Sequence, residues 1–294
     1  MSKIKIGGVE HFYQLSTPPD QNSSPPTLVF IHGWLLSCKY WQPLMHQLQD
    51  QYPCLAYDLK GFGNSPVNLG SYDGSAFSLK SYAHDLQELL SALNIKRAWL
   101  VGHSLGGSVA IWGADLCPSV VEGVICINAG GGIYLKEEFE QFRGAGEKMV
   151  KFRREWLSYI PFLDVAFSRM MVKKPLPLLW GKQRLKDFLQ AQEQAAIASL
   201  LQSTTEEQVH YLPQIVARLS QPLHFIAGKQ DKVMEPKYVK HLASFHELFK
   251  NHQNNVCELD NCGHFAMLEQ TELVQKQILT ILEKYEHNQN KVLP

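Results

Sequence analysis

With 294 residues, 45% of them hydrophobic and 19% charged, the chain is long enough for one large α/β domain or two smaller ones around a sizeable core. Lys+Arg and Asp+Glu each number 28, so no global charge argues for nucleic acid, and no apolar run reaches the length needed to span a bilayer. The start, Met1 to Gly8, lacks the apolar core and cleavage site of a signal peptide. Six cysteines (Cys38, Cys54, Cys117, Cys126, Cys257, Cys262) form no C-x-x-C pair and no zinc spacing, and they sit mostly in apolar company. They read as buried free thiols of a reducing compartment. The expectation is a soluble cytoplasmic protein that needs neither metal nor cofactor.

Ile4 to Ile6 and Val9 to Leu15 alternate at period two around Gly7-Gly8, which predicts an opening hairpin. Residues 16–26 form a Pro/Ser/Asn loop. Thr27 to Ile31 is a continuous apolar run, suited to a strand covered on both faces, and it leads straight into His32-Gly33-Trp34. A helix around Tyr40 to Leu48 precedes a strand at Cys54 to Tyr57, which ends in the glycine-rich turn Asp58 to Ser65. Leu79 to Leu93 carries apolar residues at helical spacing. A strand at Ala98 to Val101, a helix after Ser104 and a strand at Val124 to Asn128 complete an alternation typical of a mostly parallel sheet with helices on both faces.

The alternation stops at Gly130-Gly131-Gly132. To about Gln208 the chain reads as helices broken by Pro161, Pro175 and Pro177. It resumes with a strand at Pro222 to Ala227, a helix near Tyr238 to Phe249, a strand at Asn255 to Leu259 and a closing helix from Thr271 to Tyr285. The organisation is therefore a sheet domain in two segments, 1–130 and 209–294, with a helical insertion over 131–208.

The chemistry centres on Gly102-His103-Ser104-Leu105-Gly106, a G-x-S-x-G pattern between a strand and a helix. A sharp turn there lifts the Ser104 hydroxyl above the sheet, and the flanking glycines leave room for crowded backbone. A serine hydroxyl needs a base to take its proton and an acid to orient the base. In a parallel sheet such groups come from the carboxyl ends of strands. Gly228-Lys-Gln-Asp231 and Asn261-Cys-Gly-His264 both follow strands, in the chain order Ser, Asp, His. Other acids near strand ends, Asp58, Glu258 and Asp260, compete for the orienting role, and Asn128 stands where an acid could have been.

The chain resembles the α/β-hydrolases of the capped, esterase-like kind. The resemblance covers almost the whole length and rests on five motifs in order. They are His32-Gly33, Asp58-x-x-Gly61-x-Gly63-x-Ser65, Gly102-x-Ser104-x-Gly106-Gly107, Gly228-x-x-Asp231 and Gly263-His264. It implies an eight-stranded, mostly parallel sheet flanked by helices, with a helical cap inserted after strand six. It further implies Ser104 as nucleophile, His264 as general base and acid, and Asp231 as orienting carboxylate. The oxyanion hole is expected from the backbone N–H groups of Trp34 and Leu105. Relatives that open epoxides or carbon–halogen bonds carry aspartate where Ser104 stands, so those chemistries are not expected.

The insertion bears on substrate. Arg143 to Lys186 holds eleven Lys/Arg against three acids, interleaved with Phe142, Phe152, Trp156, Tyr159, Phe162, Phe167, Met170, Met171 and Trp180. Such a stretch suits an acyl chain, an anionic membrane surface or a carboxylated substrate; a merely solvated basic face explains the charges equally well. His32, Gly33, His103, Arg153, Arg154 and Trp156 are the candidates to line the substrate pocket. The leading expectation is a serine hydrolase acting on a small-molecule ester or related acyl substrate. A second is the carbon–carbon lyase of menaquinone synthesis on the same triad, although those relatives tend to carry Arg where Ser108 follows the elbow. A third is a non-catalytic binding protein on this fold.

Overall fold

The computed structural model describes residues 2–16, 25–68, 74–130 and 136–289. The hairpin joins β1 (Ser2–Ile6) to β2 (Val9–Leu15), with Gly7 and Gly8 at φ 55° and 85° in the two-residue turn. Both positive dihedrals are what such a turn needs to match strand twist. β3 (Thr27–Ile31), β4 (Cys54–Tyr57), β5 (Ala98–His103), β6 (Val121–Ile127), β7 (Leu223–Gly228) and β8 (Val256–Leu259) complete an eight-stranded sheet in the order β1-β2-β4-β3-β5-β6-β7-β8. Only the pairings of β2 are antiparallel.

The continuous apolar runs of the central strands have a simple cause: both faces are covered. In β3, Leu28 and Phe30 face one core while Val29 and Ile31 face the other. In β6, Ile125 and Ile127 divide in the same way from Val124 and Cys126. One core is closed by α1 (Gln42–Leu48), α11 (Ala266–Glu269) and α12 (Thr271–Gln289). The other is closed by α2 (Leu79–Ala92), α3 (Leu105–Leu116), α8 (Glu206–Arg218) and α9 (Pro236–Ala243). α2 follows the expected stripe, with Leu79, Tyr82, Ala83, Leu86, Leu89 and Leu90 buried, and Ser78 caps it by accepting from the Ser81 N–H at 3.2 Å.

Several boundaries differ from expectation. The helix expected from Tyr40 opens as a 3₁₀ turn, Cys38–Trp41, before α1. The helix expected over Tyr238 to Phe249 is two, α9 and α10 (Glu247–Lys250). His246 divides them: its Nδ1 accepts from the Leu248 N–H at 3.2 Å and its Nε2 reaches the Gln221 carbonyl at 3.1 Å. All six cysteines are free, and Cys257 is only half-buried. Most of the expected loop at 16–26 and the glycines beyond Gly130 lie outside the described residues.

Between β6 and β7 run α4 (Lys136–Phe152), a 3₁₀ turn at Glu155–Tyr159, α5 (Leu163–Arg169), α6 (Leu178–Gln190), α7 (Glu193–Ser203) and α8. α8 spans residue 208 and packs on α3, where Tyr211 stacks on Trp112 at 5.2 Å and Arg218 Nε meets Asp115 Oδ1 at 2.7 Å. α5 and α6 touch closely at Gly181, where any side chain would strike the Asp164 carbonyl. The helices are tied down to the ends of the strands. Ser37 Oγ donates to Asp187 Oδ2 at 2.9 Å, Trp34 Nε1 to the Ala196 carbonyl at 2.8 Å, and the His264 N–H to the Met171 carbonyl at 2.8 Å.

Candidate active site

Ser104 stands alone between β5 and α3, at φ 53° and ψ −120°. A non-glycine residue in such a conformation costs on the order of 1–3 kcal/mol and persists only where its surroundings impose it. Here its N–H donates to the Ile127 carbonyl at 3.1 Å and its carbonyl accepts from the Gly107 N–H at 2.9 Å. A side chain on Gly102 would strike the backbone of Gly106, and one on Gly106 the Ile31 carbonyl. Those glycines let strand and helix close on each other, and the tight turn carries Ser104 onto the wall of a cavity.

His264 and Asp231 approach from the loops after β8 and β7. These loops are laced together: the Lys229 N–H donates to the Leu259 carbonyl and the Gln230 N–H to the Cys262 carbonyl, both at 2.9 Å. His264 Nδ1–H donates to Asp231 Oδ2 at 2.8 Å. Asp231 Oδ1 accepts from the N–H groups of Val233 and Met234 at 2.8 and 2.9 Å, and Oδ2 also accepts from Asn128 Nδ2 at 2.9 Å. Burial works to raise the pKa of Asp231, but His264 and the two amides outweigh it and hold the carboxyl below its ordinary range. An ionised Asp231 fixes the proton of His264 on Nδ1 and leaves Nε2 as a base. Ser104 and His264 line the same cavity.

The competing acids are occupied elsewhere. Buried Asp58 accepts from the N–H groups of Cys38 and Asn64 at 2.6 and 2.7 Å, closing the glycine-rich turn. Asp260 pairs with Lys229, and Glu258 with Lys240, each at 2.9 Å near the surface. Asn128, in the left-handed region at φ 49°, is a partner of Asp231 and also donates to the Gly263 carbonyl at 3.1 Å.

The expected pocket residues fall into two groups. His103 lines the cavity, with Trp34 and Leu105 beside it. Its Nε2 donates to the His264 carbonyl at 2.7 Å, and burial with neighbouring His264 pushes its pKa down to about 3. It is a neutral brace. Gly33 passes against this brace: a Cβ there would lie 2.8 Å from His103 Nδ1 and 3.1 Å from Ser104 Cβ. His32, Gly33, Arg153, Arg154 and Trp156 are not among the residues lining the cavity. His32 is buried and neutral; its Nε2 accepts from the Leu59 N–H at 2.9 Å and its Nδ1 donates to the Gly33 carbonyl at 2.8 Å. Arg153 is turned inward onto the carbonyls of Phe188, at 2.6 Å, and Ala191. Arg154 and Trp156 are exposed.

The family model for the alpha/beta hydrolase fold matches residues 26–271, most of the chain. The chain belongs to the α/β-hydrolase fold family. The RutD protein of Stutzerimonas stutzeri, named for carbamate hydrolysis, is 38% identical over 104 residues, 35% of this chain and 38% of that protein. The chain thus matches little more than a third of that relative's length. The 2-succinyl-6-hydroxy-2,4-cyclohexadiene-1-carboxylate synthase of Enterobacter sp. is 29% identical over 70% of this chain and 76% of its own. Among solved structures, a thermophilic esterase from Thermogutta terrifontis superposes with a TM-score of 0.75 at 22% identity, covering 97% of this chain and 99% of that one.

Within this α/β-hydrolase fold, the cavity beside Ser104 has a volume of about 170 Å³ and is mostly apolar, walled by residues such as Phe142, Met149, Phe167, Phe188 and Leu200. One cation in its lining, Arg184, is hidden among the eleven basic residues of the insertion when only composition is read. Its guanidinium is buried, donates to the carbonyls of Phe167 and Met170 (the latter at 2.7 Å), and lies 4.2 Å from the Phe265 ring. Burial pushes it down to about 10, so it stays cationic at neutral pH. A signal for it exists in the sequence, since Gly181, Arg184, Leu185 and Phe188 share one helical stripe and all are buried.

Proposed function

We propose that the chain is a serine hydrolase that cleaves a carboxylic ester or related acyl bond. The observation that carries this reading is the 2.8 Å hydrogen bond from His264 Nδ1 to Asp231, with His264 and the strained Ser104 on one cavity wall. In the proposed cycle Ser104 Oγ attacks the carbonyl while His264 Nε2 takes its proton. The tetrahedral oxyanion is held by the backbone N–H groups of Trp34 and Leu105, at the start of α3 where the helix dipole favours negative charge. His264 then protonates the leaving group, and water releases the acyl-enzyme by the same relay. The helices between β6 and β7 act as a cap that supplies the apolar far wall through Phe142, Met149, Phe167, Phe188 and Leu200, which suits an acyl chain.

The test is labelling by an organophosphonate probe. Ser104 is the expected site, with no labelling in Ser104→Ala; label retained in that variant overturns the assignment. Nitrophenyl esters of increasing chain length then measure the acyl preference.

A second reading, a carbon–carbon lyase on the same residues, has one observation in its favour. Arg184 is a buried cation in the cavity lining with no carboxylate partner among the described residues, as an anionic substrate would require. Against it stands Ser108, also in the lining, where the lyase relatives tend to carry arginine. Turnover of the succinyl cyclohexadiene carboxylate without turnover of any nitrophenyl ester would decide for the lyase.

A further inference from the structure

The segment 152–162 displays its aromatic side chains outward. Phe152, Trp156, Tyr159 and Phe162 are 73%, 60%, 85% and 81% exposed. The segment is not loose. Arg153 anchors it through Phe188 and Ala191, while Leu157 and Leu163 pack against the core. Phe162 even adopts φ 64°, a left-handed conformation that a bulky aromatic residue rarely takes without an imposed reason. An anchored segment that holds four aromatic rings in water is a built surface, since large exposed apolar clusters mark interaction sites.

The charges around it say what covers it. Arg154, Arg169, Lys173, Lys174, Lys182 and Lys186 are all exposed, against two exposed acids: Glu155 among the described residues from 152 to 186, and Glu193 on α7, which acts on Arg153. This local excess sits on a chain whose formal net charge is zero. A second copy of the chain would bring like charges face to face in a two-fold contact. A polyphosphate backbone would satisfy the cations but leave exposed Ile160, Leu178 and Leu179 against polar groups. An anionic bilayer satisfies both sets, with rings and aliphatic chains entering the interface and lysines resting among the headgroups.

We propose that this face of the helical insertion docks on anionic lipid bilayers. Met170 and Met171, 36% and 41% exposed, also line the cavity that holds Ser104, so apolar side chains are shared between the exposed surface of the insertion and the cavity. Docking stands without the hydrolase reading. Its corollary, that the substrate is a long-chain acyl ester of a lipid, rests on that reading.

The test is cosedimentation of the full chain with phosphatidylcholine vesicles, with and without phosphatidylglycerol. Binding to the anionic vesicles alone is expected, weakening as salt rises from about 0.1 to about 0.5 M because exposed charges are screened. Trp156→Ser/Phe162→Ser and Lys174→Gln/Lys182→Gln/Lys186→Gln should each weaken binding by at least about tenfold, with circular dichroism and phosphonate labelling unchanged. Absent binding, equal binding to both vesicles, a dimer that buries the patch, or retention of single-stranded RNA in its place would overturn the proposal. Docking by a chain whose Ser104 takes no label would leave this inference standing and remove the hydrolase reading; labelling without docking would do the reverse.

Discussion

Asn128 donates to the same oxygen of Asp231 that accepts the proton-bearing Nδ1 of His264, at 2.9 and 2.8 Å. The carboxylate therefore takes four donors, two on each oxygen, and the amide of Asn128 helps keep it ionised. Hydrogen bonds to a charged group are worth about 1.5–3 kcal/mol. Asn128→Leu should lower kcat/KM by about ten- to a hundredfold, with the fold retained by circular dichroism. A silent variant would mean that the base does not feel this contact.

Asp231→Asn should keep the fold and lower kcat by roughly 10⁴, the scale of the same change in the best-studied triad. Asp58→Asn should instead lower the melting temperature, because its two oxygens close the turn through Cys38 and Asn64. Asp260→Asn, at an exposed ion pair, should change little. Loss of activity in folded Asp260→Asn would show that the acid is misassigned.

Gly33→Ala tests how closely the segment before Trp34 presses on the elbow. The added methyl would meet His103 Nδ1 at 2.8 Å and Ser104 Cβ at 3.1 Å. Something must shift, and the N–H of Trp34 is one residue away. The expected result is a fall in kcat of about a hundredfold, the scale of losing one oxyanion donor, with the melting temperature less affected. Unchanged kcat would remove Trp34 from the oxyanion hole.

Asp187 on α6 is buried between Ser37 and Gln183, and burial pushes its pKa up to about 6. A carboxyl whose folded pKa is raised favours the protonated fold, so its contribution to stability falls as pH rises from about 4 through about 6. Asp187→Asn carries no such charge. The melting temperature of the variant relative to wild type should therefore rise between pH 4 and pH 7. Buried histidines such as His103 and His32 titrate alike in both proteins and cancel. A pH-independent difference would mean that Asp187 ionises without cost.

The sheet and the residues of the candidate site were legible because their signals are local. Continuous apolar runs in β3, β5 and β6 follow from burial on both faces, and the glycines around Ser104 follow from backbone crowding that no side chain tolerates. The order of Ser104, Asp231 and His264 places each after a strand, and a parallel sheet brings those ends to one edge. The family motif put Asp231 ahead of Asp58 and Asp260, but spacing alone did not, since the donors from Asn128, Val233 and Met234 converge only once three loops meet. Composition did not sort the basic residues of the insertion either, and only the apolar stripe of α6 sets Arg184 apart. Arg153 and Arg184 turn inward because carbonyl oxygens and rings of neighbouring helices await them, while Arg154 and Lys174 stay in water. Local spacing determined the elements and the chemistry they can bear. Tertiary packing decided which charges are buried, because burial is set by neighbours distant in the chain.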